Sequence, residues 1–437
     1  MFHKKPANFF LSLTAMFGFL TAALPVRAAD EIVLHNFTAK NDLPYSPMAG
    51  VIFDSAGNLY GTTIGGGDRS DGAVFELTLG ANGRWTAVPV YSFIPPENEE
   101  PDAGLIFDSA GNLYGTTLSG GIYGQGTVFE LSRGTNGLWT EKLLHSFAGG
   151  KDGYYPQGPL SIDTAGNVYG TTVFGGTHGR TCDNRACGTV FELSPGTDGA
   201  WTETVLHSFQ NTHQDGGYPD GGVVLDAAGN LYGTTELGGV HSSGTVFEMS
   251  LVGGTWTESI LHNFCSEANC TDGSVPFASL VFDAAGNLYG TTQDGGSLVG
   301  TGCGGSPCGT VFELSPGTGS TWTESVLYSF CSLSDCADGA LPSAGRLVFD
   351  AMGNLYGTTG AGGLHGGDCD SYGCGTVFEL TPSAGGVWSE TVLYKFPPNG
   401  AHGLAPSGLV LDSVGNLFGT TANGGLYSAG TVFEVTP

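Results

Sequence analysis

Apolar and polar positions recur in one fixed order seven times along this chain. A short apolar run such as Val223-Val-Leu225 leads into Asp-x-x-Gly-Asn-[Leu/Val]-[Tyr/Phe]-Gly-Thr-Thr, with copies starting at Asp54, Asp108, Asp163, Asp226, Asp283, Asp350 and Asp412. In the fourth copy, Asp226-Ala-Ala-Gly-Asn230 reads as a turn, with Gly229 suited to a left-handed position. Leu231-Tyr-Gly-Thr-Thr235 returns as a second strand. After Gly238-Gly239 and a variable loop comes Gly244-Thr-Val-Phe-Glu-Met249, rich in strand formers. A glycine-containing turn then leads to Trp256-Thr-Glu-Ser-Ile-Leu-His-Asn-Phe264. The pattern predicts four antiparallel strands per repeat, called a, b, c and d. Long 3.6-residue periodicity is missing, and the 75 glycines recur at fixed repeat positions, which is turn chemistry and not low complexity.

Copies 54 to 67 residues apart signify a repeat architecture, in which each unit buries its core only against its neighbours. Four short strands arranged radially are the blades of a β-propeller. The count of strands indicates closure. Six d strands start with Trp (Trp85, Trp139, Trp201, Trp256, Trp322, Trp388), while the last repeat stops at strand c, Gly430-Thr-Val-Phe-Glu-Val435. The missing d strand lies at the other end, where Glu31-Ile-Val-Leu-His-Asn-Phe37 matches Glu141-Lys-Leu-Leu-His-Ser-Phe147. The expected fold is all-β: a seven-bladed propeller of four-stranded antiparallel blades, its N-terminal strand closing the last blade so that no blade edge inside stays unpaired.

The phrases Gly-Asn-Leu-Tyr-Gly-Thr-Thr, Gly-Gly and Gly-Thr-Val-Phe-Glu-Leu, repeated from residue 31 to 437, resemble the GloVer tandem repeat of the "choice-of-anchor" exported bacterial proteins. The resemblance implies a propeller-like scaffold and brings no catalytic residues with it. It also implies a cell-surface anchor, whereas this chain ends at Pro437, two residues past Val435, so free secretion is the expectation.

Residues 1–28 differ from the rest. Lys4 and Lys5, an apolar stretch from Phe9 to Leu24, and Val26-Arg-Ala28 spell a secretory signal peptide, which leaves residues 29–437 as one exported domain, extracellular or periplasmic. No later segment approaches the roughly 18 apolar residues of a membrane helix. Without the leader, 10 basic side chains face 41 acidic ones, a formal charge of −31. That surface argues against nucleic acid and anionic lipid as partners. Fourteen of the acids are the seven opening Asp and the Glu of Glu76, Glu130, Glu192, Glu248, Glu313, Glu379 and Glu434, so the excess is spread over the repeat and read as scaffold. A bound cation is the alternative.

The ten cysteines fall into five pairs with four residues between: Cys182/Cys187, Cys265/Cys270, Cys303/Cys308, Cys331/Cys336 and Cys369/Cys374. In an exported chain they read as local disulfides, each closing a loop of about six residues and contributing on the order of 2 kcal/mol. Thiolate metal sites are the competing reading, although zinc ligand pairs are usually closer and doubled. Antiparallel order places every pair in a b–c or d–a loop, at one end of the ring. The a–b and c–d turns occupy the plain end.

Two recurring positions on the elaborated face could carry chemistry. Four residues before a d–a loop proline stand Glu97, Asp152, Asp215, Asp272 and Asp338, with Leu43 and His402 in the other two blades. These acids could ring the channel mouth and hold Ca2+ or a cationic ligand, or could serve as Asp-Gly turn signals. Two residues after Gly-Gly stand Tyr123, His178, His241, His365 and Tyr427, whose rings could stack on sugars or pack on the next blade. In strand d, His35, His145, His207 and His262 interchange with Tyr91, Tyr328 and Tyr394, which points to packing. No nucleophile–base pair, phosphate loop or metal-ligand quartet stands out. The reading favours a monomeric, non-catalytic propeller that binds a glycan, surface polymer or extracellular protein through its stapled loops. The alternatives are a lactonase-, lyase- or glycoside-hydrolase-type propeller with carboxylates at the channel mouth, and a structural envelope protein.

Overall fold

Seven four-stranded antiparallel blades form the ring in the computed structural model. It describes residues 29–437 apart from 41–42, 69, 95–99, 179–181, 183–184, 298–307, 320, 343–344 and 370–371. The leader, Glu97 and Cys303 therefore lie outside the described residues. Blade one shows the pattern: a is Ile52–Phe53, b Leu59–Thr63, c Ala73–Leu79 and d Trp85–Ser92. In blade seven, strand c (Thr431–Thr436) pairs with the N-terminal strand Asp30–Asn36, antiparallel from Asp30↔Thr436 to Asn36↔Thr431. The ring closes as the permuted repeats require.

The core lies between blades. Tyr60, Val74 and Phe93 of blade one pack on Leu105, Leu113 and Phe129 of blade two, and equivalent clusters fill the other seams. At each seam a Phe ending strand d meets the strand-c Phe of the next blade edge-to-face, with centroids 5.1–5.2 Å apart. Phe37 against Phe75 and Phe396 against Phe433 complete the circle. The strand-c Phe also explains the glycine of Leu-Tyr-Gly-Thr-Thr: a Cβ on Gly233 would stand 2.6 Å from Phe247 Cζ, and the six counterparts are as tight. Any side chain there would evict the ring that fills the seam.

Strand a is innermost. Residues just before it touch from blade to blade, Gly50 against the Gly408 carbonyl and Gly158 against Gly222. Strand d is outermost. In all seven blades the c–d pairing slips by one residue, as between Val74 and Phe75. That bulge re-aims the ring two residues before the seam Phe, the position of His145 and Tyr91. The irregular additions are all at the loop end: Gly216–Gly217 pairs with Leu237–Gly238, and Ala340–Pro342 adds a strand to blade six.

Candidate functional site

At the plain end every blade repeats one Asp–Asn device, joined by a Tyr in all but blade seven, where Phe418 stands. Asp226 Oδ1 accepts from the N–H groups of Ala228 and Asn230, and Oδ2 accepts from Asn230 Nδ2 and Tyr232 Oη. Tyr232 also donates to Glu248 at 3.0 Å, which gives the strand-c Glu its role as scaffold. These donors hold Asp54, Asp163 and Asp350 below the ordinary carboxyl value although burial acts the other way. Burial and the adjoining carboxylates push the partner tyrosines far up.

At the loop end the d–a acids stand on the outer rim, each in its own blade against strand d. His145 Nε2 lies 3.1 Å from Asp152, and His207 Nε2 lies 3.1 Å from Asp215. Asp215 also accepts from the N–H groups of Gln210 and Gly216, at 3.0 and 2.7 Å. Ser266 caps Asp272 with its N–H and hydroxyl, both at 2.8 Å, and His262 Nε2 stands 3.5 Å away. Asp338 accepts from Tyr328 Oη, Ser332 N and Leu333 N. These acids fasten loops to strands, and the strand-d His/Tyr column turns out to be their partner. Among the described residues no three carboxylate oxygens approach within 4.8 Å of one another.

A third column joins them. The Glu of Trp-[Thr/Ser]-Glu in the following blade closes four seams, so that Asp152 faces Glu203, Asp215 faces Glu258, Asp272 faces Glu324 and Asp338 faces Glu390. One Oε1 of each of these four glutamates, and of Glu31, is buried without a hydrogen-bond partner. Burial first, and the neighbouring Asp second, push Glu203 and Glu258 up to about 7 and Glu324 and Glu390 up to about 8. Across the first seam Tyr91 Oη donates to Glu141 at 2.6 Å. Across the sixth, Tyr394 and His402 contact each other at 3.0 Å and His402 meets Glu31. The seventh carries His35 and Leu43, with Ala87 at the glutamate position, and His35 is lowered by burial alone.

The ring column is scattered. Tyr123 and Tyr427 are 58% and 54% exposed, and Lys40 Nζ stands 5.9 Å from the Tyr427 centroid. His178 Nδ1 donates to the Ser208 carbonyl at 2.9 Å, tying its loop to strand d. His365 Nε2 donates to the Asp335 carbonyl of blade five at 2.6 Å, and the His241 side chain is exposed.

Carboxylates do gather near the axis, from positions the repeat pattern hid. Asp102, Gln157 and Asp220 each follow the d–a loop proline in blades two, three and four, and Glu236 follows Thr235. Gln157 Nε2 donates to Asp102 at 3.2 Å. Burial, then Glu236 and Asp102, push Asp220 well up, and burial raises Glu236 as well, so this pair grips a proton. Asp220 Oδ1 is buried without a partner. The signal was in the sequence: this column reads Met48, Asp102, Gln157, Asp220, Phe277, Ser343 and Ser407 where its neighbours barely change.

Four disulfides form as paired: Cys182–Cys187, Cys265–Cys270, Cys331–Cys336 and Cys369–Cys374. They indicate an oxidising, non-cytoplasmic location. The Cys303/Cys308 pairing involves a residue outside those described. Cys308 Sγ lies 2.8 Å from Cys331 Sγ, where the blade-five b–c and d–a loops meet. Cys308, Cys331 and Cys336 are the one group of three potential metal ligands within 4.8 Å among the described residues, and none of the three is a free thiol. Also among the described residues, no helix is long and apolar enough to cross a membrane.

Fold and loops together define a seven-bladed propeller with one uniform face and one disulfide-stapled face. The chain belongs to the Gloeobacter/Verrucomicrobia repeat family, whose model matches residues 24–182, 140–367 and 297–437. No curated protein matches it in sequence. Among solved structures it is similar to an ancestral GH74 enzyme at 12% identity and TM-score 0.54, covering 90% of this chain and 47% of that one. The chain thus spans about half the length of that enzyme. It is also similar to a putative 6-phosphogluconolactonase from Bacteroides uniformis, at 15% identity, TM-score 0.49, and 82% and 88% coverage. A protein of unknown function from Dyadobacter fermentans matches at 11% identity, TM-score 0.43, and 94% and 99% coverage. At such identities the likeness is one of fold.

Proposed function

We propose that this chain is an exported, non-catalytic propeller that binds a glycan, a surface polymer or an extracellular protein through its b–c and d–a loops. The observation that supports this is the confinement of variation and disulfides to one face of an otherwise uniform ring. Rigid loops on a regular scaffold are where recognition is placed. Exposed Tyr123, His241 and Tyr427 offer rings to a planar or sugar surface, with the loops of His178 and His365 beside them. The test uses residues 29–437 and purified cell-wall and extracellular polymers. Binding that survives a combined Tyr123→Ala, His241→Ala, Tyr427→Ala change with the melting curve intact removes these rings from the reading.

A second reading, an enzyme working at the channel mouth, is favoured by the Asp220–Glu236 pair beside Asp102. A protonated and an ionised carboxyl side by side suit general acid–base work. Asp220→Asn and Glu236→Gln separate the two readings. On the first, ligand binding persists in both variants; on the second, turnover of whatever polymer is bound disappears while affinity changes little.

A further inference from the structure

The groove between blades three and four differs from its sister seams in how its loop is built. In blades four and five the d–a loop is tied back by Cys265–Cys270 or Cys331–Cys336 over a three-residue 3-10 turn. Blade three has no cysteine in this loop. Its backbone instead closes through Asn211 N donating to the Gly216 carbonyl at 2.7 Å, and through Asp215 N donating to Thr212 O. That leaves Thr212 and Gln214 exposed along the edge of a cavity of about 410 Å3, with Gln210 also in its lining. The facing wall is Trp256, Thr257 and Glu258 of blade four. A volume of this size falls in the range of roughly 300–1,000 Å3 seen for small-molecule sites.

We propose that this groove is a carbohydrate subsite that takes one neutral, hydroxyl-rich sugar unit. The assignment rests on the loop-face reading above and narrows it to a place and a ligand class. Amide side chains both donate and accept, and so match adjacent sugar hydroxyls, which do the same. The half-buried Trp256 indole adds a ring surface at the end of the groove, held by its edge contact with Tyr169 at 6.4 Å. Thr257 and Glu258 continue that wall beside the ring. Charge decides against the other classes. No Lys or Arg lines the groove, and an anionic ligand would meet the carboxyl groups of Asp215 and Glu258 there. The oxygens of Asp215 are already taken by His207, Gln210 and Gly216, which leaves too few for a divalent cation.

The test measures binding of short neutral xylo-, manno-, cello- and chito-oligosaccharides to the chain of residues 29–437 by calorimetry. The variant is Gln214→Ala with Thr257→Ala, both exposed, and melting curves verify that it folds. The control is Thr323→Ala, the counterpart of Thr257 at the seam roofed by Cys265–Cys270. An oligosaccharide that binds the parent and the control alike, and binds the double variant about tenfold more weakly or worse, bears the proposal out. Equal binding by all three proteins overturns the groove and leaves the loop-face reading standing. Binding of none of the sugars overturns the carbohydrate assignment. The loop-face reading is then judged on the wall-polymer and protein assays alone.

Discussion

The two faces of the ring are made from the same seven repeats and differ in how closely they keep to them. On the turn face, Asp and Asn make the same hydrogen bonds in all seven blades, and Tyr joins them in six, all within six residues of one another. On the loop face, residues of one blade meet residues of the next, and the seams differ: four set a d–a Asp against the next blade's Glu, while Tyr91 meets Glu141 and His402 meets Glu31 at two others. Local geometry copies faithfully because each repeat carries all the partners it needs. Polar contacts between repeats are freer to diverge, since either partner can change alone.

The framework shared by both faces should respond most strongly. Removing residues 29–37 strips blade seven of its d strand and of Phe37, and chemical denaturation should show the largest loss of any change considered. Phe247→Ala should cost about 3–5 kcal/mol, because a ring edge-packed on Phe209 and fully buried leaves a cavity at the seam. A loss below about 1 kcal/mol would mean that the seams are not the core.

The faces should separate by pH. Glu203, Glu258, Glu324 and Glu390 are raised to between about 7 and about 8, so the folded chain binds more protons than the unfolded one above the ordinary carboxyl value of 4.5. Their contribution is fully present below that value and is lost as pH rises through 7 to 8. Asp54, Asp163 and Asp350 have the opposite sign: lowered in the fold, they contribute above 3.8 and the contribution is lost as pH falls below it. Denaturation midpoints should therefore peak between pH 3.8 and 4.5, fall progressively as pH rises toward about 8, and fall again on the acid side. Changing the four glutamates to Gln should flatten the alkaline arm and leave the acid arm alone. An unchanged alkaline arm would sink the seam account.

Smaller effects come from single polar positions. Asp226→Ala leaves the Ala228 and Asn230 N–H groups without their acceptor and should cost about 1–2 kcal/mol, with a similar cost for the same change in any other blade. Asp220→Asn should do the reverse and stabilise by about 1 kcal/mol, since an amide can donate to Glu236 where two buried acids now compete. A destabilised Asp220→Asn chain, by thermal melt, would mean that the shared proton holds the axis together.

Much of the fold was legible from the chain because the repeat is its own control. Strand order, blade number, the permuted closure and the local cysteine pairs depend on partners near in sequence or on a count of copies. The loop-face chemistry was only half legible. Asp152, Asp215, Asp272 and Asp338 were visible as a column, but their placement at the rim was not, because it depends on the c–d bulge and on the neighbouring blade's Glu. The strand-d His/Tyr column looked like packing, and its rings do pack edge-on against the seam Phe; His145, His207, His262 and Tyr328 also hold these acids.

The sequence alone determined a closed ring of seven like blades, since no repeat can bury its apolar face without a neighbour and the stray N-terminal strand has one place to go. Tertiary structure alone decided which polar groups meet. Glu203 faces Asp152 across 51 positions of sequence, and Asp102 meets Gln157 across 55. Such pairs exist only when two blades pack side by side, and their proton affinities follow from the water excluded there.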